Sequence, residues 1–210
     1  MITSAKEAEA IIGGLGKPSK MPGYAYGLPA KNCKVGSTLQ KVPGSVCEKC
    51  YALKGRYVFK NVQNAQERRL ASLTHPQWVE AMVFLLKHKK AKHFRWHDSG
   101  DIQNEQHLAN IIAVATACPE VHFWLPTRET GIILNDSRHR GPVPSNLVIR
   151  VSGTMVNDSP LTKYKNTSTV AFKGLPQTGH VCPAPAQGGK CQDCRACWDP
   201  NVKNVGYVLH

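Results

Sequence analysis

The sequence predicts an α/β fold: a partial (β/α) barrel or open parallel sheet with a cysteine-rich C-terminal metal-binding segment. Three observations lead there. Helical and strand periodicities alternate along the chain, which is the signature of parallel βαβ units. The strand candidates run into clusters of polar and charged residues, where functional groups gather in such sheets. After the fourth strand candidate, a Pro/Gly-rich stretch carries four cysteines and little else that would order it.

The elements follow in order. Residues 1–32 read as an approach segment, 33–176 as the α/β core with a cysteine loop at its start, and 177–210 as the metal-binding tail. Residues 61–73 place Val62, Ala65, Arg69 and Leu73 on one helical face. Pro76 suits a first helical turn, and 78–89 carries an apolar stripe. That stripe ends in Lys87, His88, Lys89 and Lys90, cations that suit a helix C-terminus. Residues 93–97 form a short strand and 98–101 a turn. A helix over 103–117 follows, with Leu108, Ile111, Ile112 and Ala115 on one side and Asp101 as its expected N-cap. Cys118 at its end reads as a small buried residue. Residues 121–126, 147–152 and 169–172 are strands rich in β-branched and aromatic residues. Four strands cannot close an eight-stranded barrel, so the sheet is expected to stay open or partial.

At 210 residues the chain is long enough for one sizeable core. Residues 81–86 and 111–115, its longest apolar runs, are too short to cross a bilayer, so no membrane partner is expected. Residues 1–20 are polar, which predicts a cytoplasmic location where thiols stay reduced. The formal charge is +13, from 27 Lys and Arg against 14 Asp and Glu. Metal-bound thiolates would lower it to about +10. Such an excess suits a polyanion, nucleic acid first, or simply a basic surface. Arg56, Arg68 and Arg69 are the candidate contacts. Gly13-Gly14-Leu15-Gly16-Lys17 lacks phosphate-loop spacing, and neither G-x-S-x-G nor H-E-x-x-H occurs.

Seven of the eight cysteines form two groups: Cys33, Cys47 and Cys50, then Cys182, Cys191, Cys194 and Cys197. In a reducing compartment, C-x2-C pairs point to metal or redox chemistry before disulfides. The C-terminal triple at three-residue steps, with a fourth cysteine beside Pro183, is nearer to ferredoxin-type than to zinc-ribbon spacing. The N-terminal trio fits two occupants equally. One is zinc completed by a histidine; the other is a [4Fe–4S] cluster whose fourth iron is open to a substrate.

Residues 94–101 place a cation, an imidazole, two carboxylates and a hydroxyl at a strand end. Alternation puts Arg95 and His97 on one face, where both need partners. Arg128 and Arg150 lie at the ends of the next two strands, and such a ring of guanidinium groups suits a carboxylate or phosphate. Arg95, His97, Asp98, Asp101 and Arg128 are therefore the candidate catalytic residues.

Three blocks, C-E-K-C-Y-A-L-K-G-R from Cys47, R-W-H-D-S-G-D from Arg95, and Cys182-Pro183-Ala184 with the cysteine triple and Trp198, together resemble the phage gene-product-88 family. The resemblance spans roughly residues 33–198 and implies a phage protein working in host cytoplasm. The C-x2-C-Y-A start is also similar to the cluster loop of radical SAM proteins, although thirteen residues separate Cys33 from Cys47 where those enzymes carry C-x3-C-x2-C. It implies [4Fe–4S] clusters at both cysteine sites, the C-terminal one auxiliary, with S-adenosylmethionine as a candidate ligand of Tyr51, Ser99 and Gly100. The expected function is redox or radical chemistry, with an electron donor as partner. The alternative is a basic nucleic-acid-binding protein with structural iron–sulfur or zinc sites.

Overall fold

The structure, a computed structural model, describes residues 1–137 and 142–209. Its centre is a seven-stranded sheet in which every pairing is parallel. The strands are β1 (Tyr24–Tyr26), β2 (His93–Trp96), β3 (His122–Thr127), β4 (Leu147–Ser152), β5 (Thr167–Ala171), β6 (His180–Val181) and β7 (Asn204–Val208). They lie in the order β1-β2-β3-β4-β5-β7-β6, so only the last two exchange places. Of the two forms expected, a partial (β/α) barrel or an open parallel sheet, the open sheet is what forms. Residues before 33 supply β1, and residues after 176 supply β6 and β7 of the same sheet. The C-terminal cysteines therefore do not follow the last strand, as expected, but lie between two strands.

Six α-helices occur among the described residues: α1 (Ala5–Ile12), α2 (Lys34–Leu39), α3 (Lys60–Ser72), α4 (Trp78–His88), α5 (Glu105–Ala117) and α6 (Thr130–Ser137). Helices α1, α4, α5 and α6 pack in succession and cover one face of the sheet. Alternation along the strands decides what that face buries: Phe94 and Trp96 from β2, Phe123 and Leu125 from β3, Leu147 and Val151 from β4. They meet Trp78, Met82 and Leu85 of α4 and Leu108, Ile111 and Val114 of α5, with Cys118 buried at the end of α5. The intervening residues, Arg95, Trp124 and Arg150, face the other way, where none of the helices α1, α4, α5 and α6 packs. The cover is the cysteine-rich segment, with Trp124, Ala196, Cys197, Trp198 and Val205 forming a second small core. The cap of α5 is Asn104, whose side chain accepts from His107 N at 2.8 Å, rather than Asp101.

Candidate functional site

Cys33, Cys47 and Cys50 lie near the carboxyl ends of β2 to β4. Cys33 caps the start of the short helix α2. That helix is held from outside its own segment, because the buried Glu129 just beyond β3 accepts from Lys34 N and Val35 N, both at 3.0 Å. A carboxylate on two N-terminal amides is a charge-assisted contact that helps fix where Cys33 sits. The loop bearing Cys47 is tied to the chain after β4 through Val46 N to Thr154 O and Val156 N to Gly44 O. Cys50 N donates to Cys47 O at 3.2 Å. Gly36 lies between thiols: a Cβ there would stand 3.6 Å from Cys33 Sγ and 3.8 Å from Cys47 Sγ. Its missing side chain leaves room in a cradle lined with sulfur.

The quartet is fixed differently. Cys182 N donates to Gly206 O and Cys191 N to Lys20 O, both at 2.9 Å. Cys194 N closes a turn onto Cys191 O, and Cys197 sits in the 3-10 turn Ala196–Trp198. Cys194 Sγ is 3.4 Å from His180 Nε2, and Cys197 Sγ is 3.1 Å from the Tyr207 hydroxyl. Trp198 Nε1 donates to Phe94 O at 3.0 Å, which anchors the turn on β2. All eight cysteines are free thiols. Among the described residues, no three His, Cys, Asp or Glu side chains stand at the spacing of a formed metal site.

Burial makes five of these thiols poor free nucleophiles. Burial pushes Cys33 up to about 12, with Asp101, Cys50, Cys47 and Glu129 adding in the same direction. Burial also raises Cys47, against the pull of Arg128, and lifts Cys197 to about 11. Cys182 and Cys191 shift upward for the same first reason. A thiol of this kind is neutral near pH 7, and a bound cation is what deprotonates it.

Arg95 stands between the two cysteine groups. Its Nη2 donates to the Tyr51 hydroxyl at 3.2 Å, one residue past Cys50, and its guanidinium lies 4.5 Å over the Trp124 ring. On the other side its charge is felt at Cys191 and Cys197. Burial works against that charge, yet Tyr51, Asp98 and Tyr207 hold it firmly cationic. Its Nε is buried without a partner, as is Trp124 Nε1. The Tyr51 hydroxyl also donates to Asp98 O at 2.7 Å, and Tyr57 reaches Asp98 Oδ2 at 3.3 Å. Arg95, Asp98 and Tyr51 thus form one group. Asp101 and Arg128 form a second beside the trio: Asp101 Oδ2 accepts from Arg128 N, and Arg128 Nε donates to Gly153 O. Burial pushes the Asp101 carboxyl up to about 6 against three hydrogen bonds that stabilise its ionised form.

Other expected site residues lie elsewhere. His97 does not share a face with Arg95. Its φ of 57° breaks the alternation, and its ring turns into the helix layer, 5.2 Å from His107. Arg150 does not join a ligand ring either. Its fully buried guanidinium donates to the carbonyls of Thr167, Val202, Ala196 and Asp199 and so pins the cysteine segment to the sheet. Ser99 is buried with an unpartnered Oγ, and Gly100 packs so closely on Leu28 that a Cβ would lie 2.6 Å from it. Arg69 of the expected basic face turns inward onto Gly14 O and Gly27 O. Glu129, His180 and Tyr207 were not expected. Only Glu129 had a sequence signal, as an acid directly after a strand end.

The model of a family described as gene product 88 matches residues 2–200. No curated protein and no solved structure matches the chain. Among the described residues no helix is long and apolar enough to cross a membrane.

Proposed function

The chain belongs to the gene product 88 family, and from that premise we propose that it is an iron–sulfur protein of redox or radical type. Cys33, Cys47 and Cys50 would hold one [4Fe–4S] cluster with an iron left open to a substrate, and Cys182, Cys191, Cys194 and Cys197 an auxiliary one. The carrying observation is that one cation, Arg95, donates to Tyr51 beside the trio and lies over Trp124, which packs in the small core with Cys197 of the quartet. Such clusters supply one-electron transfer when bound. The rest falls to the chain. Arg95 balances thiolate charge between the sites and, through its free Nε, is placed to orient an anionic substrate group. Tyr51 and Tyr57 hold the Asp98 loop beside it. Trp124 and Trp198, their rings 5.2 Å apart, pack with Cys197, the buried member of the quartet. Asp101 is the group poised to hold or release a proton next to the trio. The unpartnered Ser99 Oγ keeps S-adenosylmethionine a candidate co-substrate, and turnover would need an external electron donor. Zinc at either site is the competing occupant.

Single cysteine substitutions test this reading. Cys33→Ser is expected to remove about half of the iron and sulfide from anaerobically purified protein and to leave the fold intact. Cys194→Ser is expected to remove the other half. Unfolding of both variants with no iron in the parent would contradict the proposal.

A further inference from the structure

Directly after Cys50 the chain runs over the surface in two 3-10 turns, Tyr51–Leu53 and Gly55–Val58, before entering α3. This strip exposes large apolar groups where a folded chain usually hides them: Tyr51 is 45% exposed, Leu53 42%, Val58 48% and Phe59 57%. Lys49, Lys54, Arg56 and Lys60 are exposed among them. No acidic residue occurs between Glu48 and Glu67, and among the described residues none of the four cations is in an ion pair. The start of α3 continues the strip with exposed Asn61, Gln63 and Asn64. Cations alternating with exposed rings, unneutralised on a chain of formal charge +13, complement a partner with negative charges at short repeats and flat apolar faces between them.

We infer that residues 49–60 bind single-stranded nucleic acid. Lys49, Lys54, Arg56 and Lys60 contact successive phosphates, and Phe59 and the open side of Tyr51 stack on bases. A duplex meets the cations equally well but keeps its base faces buried in its own stack, so the exposed rings select the single strand. The inference is independent of what the cysteines hold. If both stand, the strand passes the rim of the trio, since Tyr51 touches Arg95 and Asp98.

The test is fluorescence anisotropy of the full chain with a labelled oligothymidylate of about 20 nucleotides, at several salt concentrations. Iron and secondary structure are measured on the same samples. Lys54→Glu with Arg56→Glu is expected to weaken binding at least tenfold and flatten the log–log salt slope by about 1.4. Phe59→Ala is expected to weaken it about tenfold with the slope unchanged. Full affinity in both variants overturns the inference, as does absence of binding by the parent at about 50 mM salt. It is also overturned if polyglutamate or a duplex of equal length competes as well as the single strand. A parent protein that carries iron but binds no oligonucleotide tells against this inference alone, and an iron-free parent that binds it tells against the cluster reading alone.

Discussion

Acidification from pH 7 to pH 5 should destabilise this protein through two histidines in its helix layer. His107 is buried, with Nδ1 accepting from Gln103 N and Nε2 unpartnered, and burial lowers its pKa from 6.5 to about 3. His97 donates from Nδ1 to Tyr26 O and is likewise pushed well below 6.5 by burial, then by His107. Both pKa values are lower in the native state, so the unfolded chain binds more protons below pH 6.5 and stability falls as pH falls. For His107 the loss by pH 5 is about 2 kcal/mol, and His97 adds a loss of the same sign. Asp101 works the other way. Its native pKa of about 6 against 3.8 means that its protonation returns about 1.4 kcal/mol over the same interval. The histidines outweigh it, and urea unfolding should show a lower midpoint at pH 5 than at pH 7. The decisive comparison is with His107→Leu, because titrating groups that His107 does not touch cancel in the difference, and His97, relieved of its neighbour, shifts in the same direction. That variant should lose about 2 kcal/mol less than the parent between the two pH values. Equal losses in both proteins would refute a buried neutral His107.

Two further outcomes follow from the anchors of the cysteine segments. Arg150→Met should cost about 3–5 kcal/mol in denaturant unfolding, because it strands several buried carbonyls at once. A cost below about 1 kcal/mol would mean that the cysteine-rich segment is held by something else. Glu129→Ala should cost about 2 kcal/mol and loosen α2, so that metal is lost from the trio before the quartet on titration with a chelator. Loss in the reverse order would remove Glu129 as the support of Cys33.

The sequence made the middle of the fold legible and its edges obscure. β2, β3 and β4 stand out because aromatic and β-branched residues fill them, and α4 and α5 because their apolar stripes are long. β1 is three residues between Gly23 and Gly27, too short for a period to show. β7 carries Gly206 at its centre, and α6 carries Gly131 and no charged stripe. At the site, proximity failed where the backbone departs from regular form. Alternation from Arg95 to His97 holds only if the strand continues, and the left-handed His97 ends it. Asp101 and Asn104 are both capping residue types, and spacing alone could not choose between them. Arg150 announced a buried partner by lying within an apolar strand, but its acceptors are backbone carbonyls as distant as Asp199 and Val202. The two groups of cysteines are defined by sequence spacing. What joins the groups, the Arg95–Tyr51 contact, depends on tertiary packing.

Iron, zinc and acid-labile sulfide per chain, measured on protein purified without oxygen, test the central claim most directly. About eight irons with matching sulfide are the expected result. Stoichiometric zinc without sulfide would contradict it and leave the cysteine groups as structural clamps, one at the strand ends and one on the open face of the sheet.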